Sequence, residues 1–246
     1  MPESRAASGA DPGPEHGAGL PGLSLADPAY RAAIVELLGV ISYGELSAFE
    51  RLAEDAAVAP GLDDKLALAS MAATQVTRVT TLHDRLRSLG EDPVAAMAPF
   101  REAVDSFHRH TAPADWAEGL VKAFVGDGLA NDFYREIAAH LDPETRELVL
   151  TSLADDGTQA AFVVDRVRAL IAADAPAGGR LALWGRRLMG EALVQAQRVA
   201  ADRDALAALL TGGLGGAGLD LVALGRMFTR LTERHQQRMT DLGLEA

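Results

Sequence analysis

Val40-Ile41-Ser42-Tyr43-Gly44-Glu45-Leu46-Ser47-Ala48-Phe49-Glu50 is the stretch whose reading decides the fold. Helical intervals taken in both directions from Glu45 meet Ile34, Leu38, Ile41, Phe49 and Leu52, so a carboxylate stands in the middle of an apolar stripe. Burying an ionised carboxylate without a partner is strongly unfavourable. Glu45 is therefore paired inside a bundle, or binds something, or lies on a stripe wetter than its neighbours suggest.

The helix through Glu45 starts at Asp27-Pro28, an N-cap followed by a first-position proline, and runs to about Ala57, where Pro60-Gly61 stops it. Before it, residues 1–26 show no sustained apolar period and are expected to form a disordered tail, leaving 27–246 as a single helical domain. A second helix spans Leu62 to Leu89, with Gly90 as its C-terminal cap. Asp92-Pro93 opens a shorter helix through Phe107, and Pro113 opens another that ends near Leu141. Asp142-Pro143 repeats the start signal for a helix through Leu170, which the Pro176-Gly178-Gly179 segment ends. Arg180 to Leu210 and Leu219 to Leu242 complete the periodic segments, and no period-two strand is found. The glycine-rich run from Gly212 to Gly218 is read as a connector, because no strand precedes it and no Gly-Lys-Ser/Thr follows. The fold is expected to be all-α, with four long helices in an antiparallel bundle and further helices packed outside.

Composition narrows the function classes. A net charge of -12 opposes a general electrostatic grip on nucleic acid, and the absence of cysteine excludes disulfides and thiolate metal sites. No apolar run is expected to reach the ~20 residues that cross a bilayer, and the N-terminus lacks signal-peptide features, so a cytoplasmic location without membrane contact is expected.

Polar groups fall near mid-length on four inner faces: Glu45 on the first long helix, Gln75 and Arg78 on the second, Asp127 on the third, Asp156 and Gln159 on the fourth. Di-iron carboxylate bundles use this scheme, with single carboxylates from two helices and a Glu-x-x-His pair from each of the other two. The segments Tyr43-Gly44-Glu45-Leu46, Val121 to Gly128, Asp132-Phe133-Tyr134-Arg135-Glu136, Leu183 to Leu188 and Arg230 to His235 resemble bacterial ferritin-like proteins grouped with tRNA methylthio-isopentenyl-adenosine hydroxylase. The resemblance covers roughly Ala29 to Leu244. It implies a ferritin-like bundle and, for the group's characterised relatives, a di-iron monooxygenase acting on a modified tRNA base.

Carried over by position, the first carboxylate falls on Glu45 and the third-helix carboxylate on Asp127, with Asp132 the lesser choice. The paired positions fall on Gln75 and Arg78 and on Asp156 and Gln159, with no histidine in either pair. A guanidinium is repelled by divalent cations and attracted by carboxylates. The favoured reading is thus a degenerate di-iron site in which Arg78 forms a buried charge network with Glu45, Asp127 and Asp156, with no cofactor, no catalytic residue, and a binding or structural role. The alternative is a di-iron monooxygenase with atypical ligands drawn from Glu45, Asp127, Asp156 and Glu191. A partner protein, a small-molecule ligand or a homodimer built through an outer helix suits either reading.

Other candidates have plainer readings. His108 and His110, two apart, face different ways at what reads as a solvated helix end. Arg180, Arg186, Arg187, Arg198 and Arg203 could line RNA phosphates, but acidic partners explain them as well, and tRNA binding is not favoured. Glu191 and Gln195 either reach the interior that holds Glu45 or, the favoured reading, line a polar side of their helix. Trp116, Phe124, Tyr134 and Trp184 are read as core.

Overall fold

The computed structural model describes residues 23–153, 157–211 and 221–245. Among these the order is α1 (Pro28–Ala57), α2 (Leu62–Ser88), α3 (Pro93–Met97), a 3-10 turn (Ala98–Phe100), α4 (Arg101–His110), α5 (Trp116–Ala138), α6 (Pro143–Ser152), α7 (Thr158–Ala173), α8 (Ala175–Asp202), α9 (Asp204–Thr211) and α10 (Leu221–Asp241). No strand occurs among the described residues. The Asp-Pro starts work as expected: Asp27, Asp92 and Asp142 each accept backbone N–H bonds from the turn they precede. Gly90, at φ 77, closes α2 in the left-handed conformation.

Two core clusters reveal the topology. One gathers Ile34, Leu38 and Ile41 of α1, Leu82 and Leu86 of α2, Ile137 of α5 and Val149 of α6. The other gathers Leu52 of α1, Leu68 and Met71 of α2, Leu120 and Val125 of α5, and Val163 and Val167 of α7. Followed between these clusters, α1 and the α6–α7 pair run one way while α2 and α5 run the other. This is an antiparallel four-helix bundle with a long crossover through α3 and α4, the ferritin-like topology. Outside it, α8 lies along α5 and α4, α9 packs on α1, and α10 crosses α5. Glu45, Gln75 and Arg78 fall between the two clusters, so a polar layer interrupts the core at mid-bundle.

Several boundaries differ from expectation. The fourth bundle helix is two pieces: α6 ends at Ser152, and Gly157, at φ 79, sits in the left-handed conformation just before α7. Pro176 opens α8 instead of breaking it, because a proline in the first turn gives up only an N–H with no helical partner. Arg203 leaves the helical conformation and divides α8 from α9. Its guanidinium bonds Glu36 Oε1 at 2.5 and 3.0 Å while Glu36 Oε2 accepts from Leu206 N at 3.0 Å. Leu23 and Leu25, placed in the tail by the sequence, pack against the first core cluster. The glycine-rich run lies outside the described residues. The expectation about apolar runs also needs correction: α1 is long and apolar enough to cross a bilayer by length and composition. Glu36 and Glu45 are its only charges between Arg31 and Glu50. Half of its apolar stretch is buried against the bundle, as suits the core helix of a water-soluble fold.

Candidate functional site

Arg78 occupies the centre of the polar layer. Its Nη1 lies 3.2 Å from Gln75 Oε1, 3.4 Å from Glu45 Oε2 and 3.6 Å from Asp127 Oδ1. Gln75, Arg78 and Glu45 are almost fully buried, at 3%, 5% and 5% exposure, so the pair is shielded from solvent as surface pairs are not. Asp127 is wetter and is held on its other oxygen by Asn131 Nδ2 at 2.8 Å. Burial pushes the Glu45 carboxyl up to about 7, the neighbouring Asp127 adds to that, and Arg78 opposes both. The Tyr134 phenol, raised by burial and by the same two carboxylates, completes the layer from α5.

The other expected positions divide. Asp156 and the Gln159 side chain lie outside the described residues. Asp132 turns away from the layer and is held by Arg238, by Arg135 at 3.6 Å and by Arg234 at 3.8 Å. Gly128 makes room for this contact, since a Cβ there would collide with the Arg238 side chain. Gln195 lines the same cavity as Glu45, whereas Glu191 accepts from Gln195 at 2.6 Å and bonds His110 Nδ1 at 2.8 Å. The two sequence readings of this pair are thus each half met.

Beside the polar layer a cavity of about 440 Å3 runs through the bundle, lined mostly by apolar side chains such as Leu37, Leu52, Phe124 and Val163. That size suits a small ligand. A second polar group faces the same cavity: Arg51 and Asp55 of α1, His108 of α4 and Lys122 of α5. Lys122, 7% exposed, donates to the Thr111 carbonyl at 2.7 Å and stands 5.6 Å from the centre of the Phe107 ring. Burial and the Arg51 charge lower its amine to about 8, while Asp55 pulls the other way. His108 is not a solvated helix end: burial, then Lys122 and Arg51, push its imidazole down to about 3, and its buried Nδ1 has no hydrogen-bond partner among the described residues. Of these two histidines, His110 is the exposed one.

A family model described as "Ferritin-like domain, actinomycetes" matches residues 28–213, about three quarters of the chain. The chain belongs to that family. This ferritin-like protein also resembles a solved structure described as "Protein 19 with aldehyde deformylating oxidase activity" from Synechococcus. The TM-score is 0.68, with 21% identity over 91% of this chain and 95% of that one. At that identity the likeness establishes the fold. A search of curated proteins finds no match.

The layer's members on α1, α2 and α5 were visible in this ferritin-like sequence because each interrupts an apolar stripe. The Lys122 group was missed. Its signal was present: Lys122 stands inside Leu120-Val121-Lys122-Ala123-Phe124-Val125, and it is one of only two lysines in the chain. Four of the five arginines weighed as an RNA stripe are engaged locally, Arg186 on the Glu245 carbonyl at 3.1 Å. Arg180 pairs with Asp115 at 2.7 Å and Glu118 at 2.5 Å, Arg187 bonds the His110 carbonyl at 2.6 Å, and Arg203 pairs with Glu36.

Proposed function

We propose that this ferritin-like protein is a non-catalytic binding protein whose di-iron position is filled by Arg78 and whose cavity takes an apolar, aliphatic ligand. The observation that carries this reading is the position of Arg78 Nη1, within 3.6 Å of oxygens from Gln75, Glu45 and Asp127. Those oxygens converge on a cation that is part of the chain. Two divalent ions do not fit the same space, because the guanidinium repels them and the described layer offers no imidazole. Among the described residues no cluster of three or more histidines, cysteines or acids stands at metal-binding spacing. Kinship with the tRNA hydroxylase group belongs to this proposal as ancestry alone. The local engagement of Arg180, Arg187 and Arg203 supports leaving RNA out of it.

Two measurements test the reading. Metal analysis after anaerobic incubation with ferrous iron is expected to show no retained stoichiometric metal. Near-stoichiometric iron or manganese bound in the bundle would return the site to the oxidative reading, the activity class of the Synechococcus protein. The neutral fluorophore N-phenyl-1-naphthylamine is expected to bind and to be displaced by octanol, decanol and dodecanol in order of increasing affinity. Burial of each methylene contributes up to about 0.8 kcal/mol, roughly fourfold in Kd. No displacement, or no dependence on chain length, counts against an aliphatic guest.

A further inference from the structure

We propose that Lys122 is a nucleophilic amine that condenses with an aliphatic aldehyde in the bundle cavity to form an imine. The inference rests on the aliphatic-guest reading and assigns the guest a carbonyl group. Three observations carry it. Lys122 lines the cavity yet is 7% exposed, so a ligand reaches it only by entering. It makes no ion pair among the described residues; its amine donates to the neutral Thr111 carbonyl, and the Phe107 ring covers one side. A second cation, Arg51, faces the same space, with Asp55 and Glu54 of α1 as the acidic neighbours and the neutral His108 imidazole from α4.

Desolvation together with a neighbouring cation is the physical means by which a lysine becomes nucleophilic near neutral pH. With the amine lowered to about 8, roughly a tenth of the molecules carry its free lone pair at pH 7. That lone pair adds to the carbonyl carbon to give a carbinolamine. The nitrogen then loses its remaining protons, the oxygen leaves as water, and a carbon–nitrogen double bond forms. Aldehyde plus amine give imine plus water, with no oxidant or reductant. Asp55 lines the same cavity and acts on the Lys122 charge, so it is the carboxyl available to give the departing oxygen a proton, and burial raises it above the ordinary value. Gly119 admits Asp55 to this position, since a Cβ there would lie 2.9 Å from Asp55 Oδ1.

The chain provides its own control, because the other lysine, Lys65, is exposed. The full-length protein is incubated with decanal and sodium cyanoborohydride near neutral pH, and alkylated amines are mapped by peptide mass spectrometry. Lys122 is expected to be labelled at least about tenfold faster than Lys65, with the labelling suppressed by excess decanol, slowed in Asp55→Asn and absent in Lys122→Arg. If decanol displaces the naphthylamine probe but Lys122 is labelled no faster than Lys65, the nucleophile is refuted and the cavity reading survives. If decanol fails to displace the probe, both fall.

Discussion

Two buried cations, Arg78 in the polar layer beside the cavity and Lys122 on the cavity wall, have opposite surroundings. Arg78 has oxygens of Gln75, Glu45 and Asp127 within 3.6 Å, an arrangement that holds a permanent charge in place. Lys122 has a neutral carbonyl, an aromatic face and another cation nearby, an arrangement that disfavours its charge. The choice of side chain matches each setting: a guanidinium stays charged and bonds several carboxylates at once, whereas an ammonium gives up its proton when desolvated. One cluster is built to hold a charge still and the other to let a proton go. The contrast can be broken by mutation, most severely at Arg78.

At pH 8 and above, Arg78→Met leaves the Glu45 carboxyl, already raised to about 7, nearly fully buried without its cation, so that it carries an unpaired charge or takes up a proton at a cost. Removing one partner of a buried pair costs about 3–5 kcal/mol, and the wetter Asp127 places this case toward the lower figure. Thermal denaturation is expected to show Tm lower by roughly 10 °C for a chain of this size. The double variant Glu45→Gln with Arg78→Met is expected to recover a large part of that loss, because the stranded charge is gone. A double variant no better than the single one would mean that Arg78 acts through packing and that the charge network is incidental.

His108, which lines the cavity, gives the intermediate effect. Its imidazole stays neutral in the folded protein down to about 3, whereas the unfolded chain takes up the proton below the ordinary 6.5. Between those values the unfolded state binds more protons, so stability falls as pH falls. Compared with His108→Gln, the wild type is expected to lose up to about 2 kcal/mol by pH 5, read as a difference in urea midpoints. Equal pH profiles for the two proteins would show that His108 finds a proton-holding partner, which would make the second cluster resemble the first.

The degree to which each region was legible in the sequence follows from the same contrast. Glu45, Gln75 and Arg78 were found because polar residues on an apolar stripe stand out by period alone, and the Asp-Pro starts at Asp27, Asp92 and Asp142 marked helix entries by local chemistry. The bundle was legible for that reason. Where tertiary contacts set the structure, sequence reasoning failed. The end of α8 is fixed by Glu36, 167 residues away along the chain, and the inward turn of His108 depends on the packing of α4 against the bundle. The Lys122 group draws on three helices that are brought together only by the crossover, so its members carry no shared spacing. Tyr43-Gly44-Glu45-Leu46 suggested a tRNA-hydroxylase kinship, whereas the family model supports the broader ferritin-like family.

Lys122→Met should be the mildest of the three substitutions at neutral pH. It removes an ammonium that the site disfavours, which stabilises, and it strips the Thr111 carbonyl of its donor, which destabilises by about 1 kcal/mol, so the net change is expected to stay within about 1 kcal/mol. The pH dependence is more telling. The folded amine loses its proton near 8 while the unfolded amine keeps it to the ordinary 10.5, so across that interval the unfolded state holds the extra proton and folding stability rises with pH. Wild type should therefore gain stability over Lys122→Met between pH 8 and 10.5, in urea titrations of both proteins at matched ionic strength. A Lys122→Met variant as damaged as Arg78→Met, with no such alkaline gain, would mean that Lys122 is a structural cation held by Asp55. The two clusters would then be one kind of site.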